Sequence, residues 1–492
     1  MKKSILFLTG IAICLLVSCN DNPYEDGGGG NNPPIGEIKD PWWSTTGELT
    51  YDGDELVLDE VDLHITTVVN GTDYAKFQDI VSDFNREYLG KINVTTDSVN
   101  QVGFEQNVAN RINQNTNAPD LIMSHQKGHK GFVNSKLIQP FNEIFTELKM
   151  EFNYDDYATN IAKYGDLGYE NYVFDVPIDA QSMVVYYNKT LLNKYNTGKL
   201  PTSRSEFFEL CKRVQTEEKK TDSKFQAVAL QTEEEFYSWY LWPTALVQNG
   251  ATFYNEETYK VEWTSPDNLN SFKNALSSIR EMFYGENKIS EYGQNLESTN
   301  NLFFNDQCLF IFSLPWSADD IFSGYSAAHE NKMTPQQVQD NYVGAFSTSG
   351  LFALDEDSED ANKIYGDSHA FALSKTVSDI NVKAAAAIFV NWFNTNVDVA
   401  IDWARAGHIS ANNLVSNETT YKNDSFVSNY INNFYPDINE FVTPGNTPYF
   451  STTFEDGIYK LGNTLIREES SSKDATTIAQ VQKDVNDTIS LL

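Results

Sequence analysis

The sequence predicts an α/β protein folded as two lobes. Strand-like and helix-like segments alternate along it, the strands lose the polar/apolar alternation of half-exposed sheets, and the chain is too long for one core. Strands separated by helices of about 10 to 15 residues imply βαβ units and a mostly parallel sheet. Strands covered by helices on both faces read as continuous apolar runs. From residue 42 onward about 450 residues remain, beyond the usual size of a single core.

The elements follow in order. Val61 to Thr67, with the run VDLHITT, reads as a strand. Asn70-Gly71-Thr72-Asp73 is a turn and helix cap, and Phe77, Ile80, Val81, Phe84 and Tyr88 then recur at helical spacing. Lys91 to Thr96 is a strand and Phe104 to Asn115 a helix. Asn117 to Asp120 breaks that helix and leads into the short buried strand Leu121-Ile122-Met123. Tyr172 to Val176 is a strand running into Pro177, and Met183 to Tyr187 is apolar on both faces. Ser203 and Glu206 form an S-x-x-E capping signal ahead of Phe207, Phe208, Leu210 and Val214. Phe236 to Val247 is an aromatic helix stopped by Asn249-Gly250, and Phe272 to Phe283 is a further helix. Cys308 to Phe312, Tyr342 to Phe346 and Ala370 to Leu373 are strands. Val382, Ala386, Phe389 and Phe393 mark a helix, and Ala475 to Leu491 is the last one. There is no internal repeat.

The N-terminus predicts export. Lys2 and Lys3 precede an apolar stretch, Ile5 to Val17, too short to span a bilayer. It ends in Leu16-Val17-Ser18-Cys19, which resembles a bacterial lipobox. That resemblance implies acylation of Cys19 and a chain held at the outer side of the membrane by lipid alone, since acyl chains add about 0.8 kcal/mol per buried CH₂. An ordinary secretory signal is the alternative. Residues 20 to 41, NDNPYEDGGGGNNPPIGEIKDP, bury no apolar surface and form a tether. Trp42 and Trp43 pack the start of the body onto the rest. The formal net charge of -34 excludes nucleic acid as a partner and disfavours anionic lipid. Cys211 and Cys308 are the cysteines of the folded part; without close spacing they do not read as a metal site or redox pair, and two buried thiols are favoured over a disulfide as the alternative.

Catalytic signatures are missing. The sequence has no G-x-S-x-G, H-E-x-x-H, G-x-x-x-x-G-K-[ST] or G-x-G-x-x-G. Asp319-Asp320 and Glu233-Glu234-Glu235 are neighbouring carboxylates that point apart on helical stretches, so a solvated face is the reading for both. No cofactor and no metal is expected. Aromatics make up 13% of the chain, and flat rings match the apolar faces of sugars. Trp316 follows a strand and a proline, where open α/β sheets place ligands. Trp239 and Trp242 sit three apart on one helix, and His369 stands at the start of a strand after a tight turn.

Read in order, several segments resemble the extracellular solute-binding proteins of ABC importers, the family that includes maltodextrin-binding protein. They are NAPDLIM at 117 to 123, VPIDAQSMVVYYNKTLL at 176 to 192, PTSRSEFFEL at 201 to 210 and VQNGATF at 247 to 253. LFFNDQCLFIFSLPW at 302 to 316, GDSHAFALSK at 366 to 375, AAAAIFVNWF at 384 to 393 and AGHIS at 406 to 410 complete the set. Their order carries the resemblance over roughly residues 60 to 415. Ser203-Arg204 replaces the usual Thr-Trp, Asp306 stands near the usual glycine, and Gln181 occupies a place that is acidic in maltodextrin binders, so that specificity does not transfer.

The resemblance implies a two-lobed, type II periplasmic-binding-protein-like fold, with strands crossing at a hinge and ligand in the cleft. Residues 42–178 and 366–395 would form the first lobe, and 179–365 and 396–492 the second. Pro177 to Gln181 would be a crossing segment. Trp316, Asp179, Gln181, His125, Trp242 and His369 are the candidate ligand contacts. The implied function is capture of a carbohydrate by a monomeric, non-catalytic receptor that delivers it to ABC permease subunits. A surface glycan-binding lipoprotein of a helical-repeat class and a glycoside hydrolase are the alternatives.

Overall fold

The computed structural model describes residues 38–491 apart from 39, 59, 170, 234–235, 331 and 435–440. The signal segment, the lipidation expected at Cys19 and nearly all of the tether lie outside the described residues, as do Glu234 and Glu235. Among the described residues no helix is long and apolar enough to cross a membrane.

Two mixed sheets organise the chain. In the first, Val61–Thr67 lies between Ile92–Ser98 and Leu121–His125 and is parallel to both. His369–Ser374 then adds antiparallel to Leu121–His125, and it also pairs with Ile138–Gln139 and Asp175–Pro177. In the second, the order is Gln226–Ala229, Cys308–Ser313, Val184–Asn188, Val343–Ser347. There Val184–Asn188 is antiparallel to both of its neighbours. The sheets are therefore less parallel than the strand–helix alternation predicts. The reason is topological. Val184–Asn188 and His369–Ser374 are the strands by which the chain enters a lobe after crossing over. Each starts beside the last residue of a regular strand, Val184 opposite Ser313 and His369 opposite His125. A strand that begins where its neighbours end must run against them.

The apolar pattern of the helices matches this plan. In Gly71–Glu87 the residues Phe77, Ile80, Val81 and Phe84 are buried. Ile380–Thr395 packs on Val61–Thr67, and its four consecutive alanines, Ala384 to Ala387, are all buried, so the helix is covered nearly all round at that turn. The second sheet is covered by a core that includes Phe207, Trp263, Phe272 and Phe310. Helix Asp474–Leu491 is fixed there by Asp474, which takes both Arg280 guanidinium nitrogens at 2.7 and 2.9 Å.

Helix Val397–Arg405 departs from the expected division. The resemblance implies a place in the second lobe, yet the helix packs on Gly71–Glu87 and Ile380–Thr395. Its Trp403 edges onto Phe77 and Phe393, at ring distances of 6.4 and 6.0 Å. These rings belong to helices of the first sheet, so the apolar face of the segment has its partner there. Trp42 stacks on Phe174 at 6.1 Å and donates its indole N–H to Ile138 O at 2.9 Å, which straps the N-terminal segment along the first lobe. Cys211 and Cys308 are both buried and free, and burial pushes both thiols well above their ordinary range.

Asp97 illustrates how the first sheet's end is held. It accepts hydrogen bonds from Thr66 Oγ1 at 2.6 Å and Arg111 Nη1 at 2.9 Å, and lies 3.0 Å from His64 Nε2. Burial raises the carboxyl, but the bonds from His64, Thr66 and Arg111 outweigh it and hold the group well below the usual carboxylate range. A depressed carboxyl stabilises the fold above its unfolded value near pH 4, and that contribution fades as pH falls further. Asp97 is 37% exposed, so screening limits the effect. Asp97→Asn is expected to cost on the order of 1 kcal/mol at pH 7 and less at pH 3. Urea midpoints at the two pH values check this; an equal loss at both would exclude the electrostatic account.

Candidate functional site

Three stretches of chain cross between the lobes, and they pair with one another. Gln181 and Asp367 exchange backbone hydrogen bonds, both 2.9 Å, and Ile178 N donates to His369 O at 2.8 Å. Ile409–Ser410 runs antiparallel to Asp179–Ala180, with Ile409 opposite Ala180 and Ser410 opposite Asp179. A strand that has paired at a crossing has its side chains presented at the carboxyl ends of both sheets, where open α/β folds hold ligands.

The side chains gathered there are unusual in being polar and buried. Asp179 is fully buried. Its Oδ1 accepts the His369 backbone N–H at 2.8 Å, and its Oδ2 accepts the Trp403 indole N–H at 2.8 Å. The same Oδ2 lies 2.9 Å from His369 Nδ1 and 3.2 Å from His408 Nδ1. Burial alone would raise this carboxyl, but the two imidazoles outweigh it and hold the group well below the usual range. His408 also faces Asp73, with Nε2 3.6 Å from its Oδ2. Burial opposes a charge on His408; the Asp179 and Asp73 carboxylates overcome this and lift the imidazole to about 9.

A second group adjoins the first. Asp367 Oδ2 lies 2.7 Å from Lys127 Nζ and 2.9 Å from His125 Nδ1. Burial, followed by the neighbouring Lys127 charge, pushes His125 down to about 4, so it is neutral at neutral pH. Lys127, at the first turn of helix Gln126–Asn134, reaches over to the second lobe and sits 5.0 Å above the Phe450 ring. Phe450 precedes the π-helix Ser451–Tyr459, whose Tyr459 hydroxyl meets that of Tyr365 at 3.0 Å. The His125 and His369 rings, 4.7 Å apart, join the two groups.

Trp316 closes the arrangement from the second lobe. It lies half-buried on the short turn Pro315–Ser317 after strand Cys308–Ser313. Its ring is nearly parallel to that of His408, 5.8 Å away, and Trp403 stacks on the same imidazole at 4.3 Å. Gly407 makes this approach possible. A Cβ there would fall 2.4 Å from Pro315 C and Trp316 N, and its φ of +93° already favours glycine.

Of the six residues named from sequence, Trp316, Asp179, Gln181, His125 and His369 converge here. Trp242 does not: it is fully buried in the second core and donates its indole N–H to Ile458 O at 2.9 Å. Its ring packs against Phe272 in the second core, away from the cluster. Its helix, Phe236–Gln248, is apolar all round, the pattern of a buried helix rather than of a cleft wall. Lys127, Asp367, His408, Trp403 and Asp73 were not singled out. Asp367 and His408 sit inside the motifs GDSHAFALSK and AGHIS, and a buried charged residue beside an already suspected histidine was the available signal. A cavity of about 290 Å³, whose lining includes Tyr164, Phe253, Tyr254 and Glu256, shares no residue with this cluster.

A family model described as bacterial extracellular solute-binding protein matches residues 69–398. The chain belongs to that family. Solved structures of similar fold share little sequence with this solute-binding protein. The GacH receptor of Streptomyces glaucescens GLA.O, described unliganded and with acarbose, superposes with a TM-score of 0.67 at 15% identity, over 88% of this chain and 99% of the other. The MalE maltose/maltodextrin-binding domain from Bdellovibrio bacteriovorus, bound to maltotriose, gives 0.63 at 15% identity, over 87% of this chain and 100% of the other. A cyclic alpha-maltosyl-1,6-maltose binding protein from Arthrobacter globiformis gives 0.63 at 15% identity, over 87% and 99%. These likenesses establish the two-lobed α/β fold. No curated protein matches the sequence.

Proposed function

We propose that this solute-binding protein captures a carbohydrate between its lobes and hands it to an ABC importer, without catalysing any reaction on it. The observation that carries the reading is the half-exposed Trp316 ring held beside a buried network of carboxylate, imidazole, amide and ammonium groups at the carboxyl ends of both sheets. A flat apolar face beside polar side chains suits a sugar, which offers C–H on one face and hydroxyls around its edge. The sugar-binding proteins among the structures of like fold support the same ligand class. Residues 42–178 and 366–395 act as one lobe with helix Val397–Arg405 added, and the remainder acts as the other. Lobes joined by crossing strands close about a hinge, and ligand favours closure only through contacts to both. Lys127 on one side and Gln181 and Trp316 on the other provide them. Acylation at Cys19 holds the receptor at the outer face of the membrane, and residues 20–41 let it reach a permease.

The reading is tested by thermal unfolding of the purified chain against mono-, di- and oligosaccharides and other small solutes. A ligand at 100 times its dissociation constant adds about 2.7 kcal/mol. A rise confined to one sugar class, with the sugar recovered intact, is the expected outcome. A rise only with non-sugar solutes would replace the ligand class, and consumption of the glycan would replace the receptor by a hydrolase.

A further inference from the structure

The crossing point contains more than a ligand contact surface. Asp179, His369 and His408 each offer one ligand atom, and these atoms lie within 4.8 Å of one another. The separations from Asp179 Oδ2 are 2.9 Å to His369 Nδ1 and 3.2 Å to His408 Nδ1. A tetrahedral zinc-type centre, with ligands at about 2.0–2.2 Å, spaces its ligand atoms about 3.4 Å apart. The two Asp179 separations are within about 0.5 Å of that spacing, and the two imidazole nitrogens, no more than 4.8 Å apart, would close on each other by up to about 1.4 Å.

The surroundings supply what such ligands need. A metal-bound imidazole is oriented by an acceptor on its other nitrogen. For His408, ligating through Nδ1, that acceptor is Asp73, whose Oδ2 faces Nε2 at 3.6 Å. For His369 it is Gln181, whose amide lies 3.5 Å from Nε2. Gln181 Oε1 is buried without a hydrogen-bond partner, and turning the amide over presents that oxygen to the ring N–H. The carboxylate is aimed by the Trp403 indole and the His369 backbone N–H. Neither nitrogen of His408, a side chain 1% exposed, makes a directed hydrogen bond although both face carboxylates. A cation bound there takes the lone pair of His408 Nδ1, so its binding releases the proton that the Asp179 and Asp73 carboxylates otherwise face.

We propose that Asp179, His369 and His408 form a binding site for a divalent transition-metal cation of the zinc type. Each ligand comes from a different one of the three crossing segments, so the cation acts as a clip at the hinge. Gln181 and Asp73 are positioning residues for the two imidazoles. Alkaline-earth cations are disfavoured, since they take six or more oxygen ligands.

The test strips the purified chain with a chelator, reloads it with Zn²⁺, desalts it and counts retained metal by mass spectrometry. Co²⁺ serves as a parallel probe whose visible absorption reports a low-coordinate nitrogen and oxygen site. One equivalent per chain, a higher Tm with Zn²⁺ than without, and a Co²⁺ band are expected. His408→Asn abolishes all three, and Asp73→Asn weakens Zn²⁺ binding about 10- to 100-fold. His64→Gln, at the separate His64 and Asp97 contact, leaves them unchanged. Should His408→Asn misfold, Gln181→Leu replaces it, with a matching loss of affinity. Retention below a tenth of an equivalent by the unaltered chain, or undiminished retention in His408→Asn and Gln181→Leu, overturns the site.

Discussion

Replacing Asp179 by asparagine is expected to destabilise the protein by about 3–5 kcal/mol, the cost of breaking a buried ionic group from one side. The carboxylate faces four nitrogens, from the His369 backbone, the His369 and His408 rings and the Trp403 indole. Asparagine matches its volume but offers one acceptor oxygen and two N–H donors. The amide nitrogen would confront donors of its own kind in a site closed to water, and each buried group left unsatisfied costs about 1–3 kcal/mol. Volume is conserved, so packing does not confound the result. Urea unfolding should show a lower midpoint with an unchanged slope. A midpoint shift worth less than about 1 kcal/mol would mean that the cluster is not the hinge's polar core.

Trp316→Ala is expected to weaken carbohydrate binding at least tenfold, about 1.4 kcal/mol, and to leave the fold intact. The ring is half-buried and covers His408 from the second lobe, so its loss removes a stacking face without opening a core. Trp316→Phe should recover most of the affinity, because a smaller flat ring still presents an apolar face. Calorimetric titration with the sugar found by thermal screening measures both. An unchanged affinity in Trp316→Ala would leave the ring as packing for His408 alone, and the ligand would have to be sought elsewhere in the cleft.

The α/β alternation was legible in the sequence as apolar runs that stop at polar residues, while the boundaries of the two lobes, the crossing at Pro177 to Gln181 and the five candidate residues that lie together in the structure came from the resemblance to solute-binding proteins. The meeting of Asp179, His369 and His408 was not legible. They are far apart along the chain, and only the antiparallel pairing of Asp179–Ala180 with Ile409–Ser410 brings the last of them in. Lys127 carried no periodic signal, since a lysine in the first turn of a helix normally points to water. Here it reaches Asp367 and the ring of Phe450 instead. The direction of Val184–Asn188 was equally hidden: an apolar run reads the same way along a parallel and an antiparallel neighbour.

The two thiols of the folded part are sealed in the second lobe and held in their protonated, unreactive form. One cysteine placed on the surface of either lobe would therefore be the single site open to maleimide chemistry in the folded body. A dye at such a position near Trp316 or Lys127 would report the local environment as the lobes approach. The natural core thus leaves the folded body ready to serve as a fluorescent sensor for its own solute, with neither Cys211 nor Cys308 needing removal.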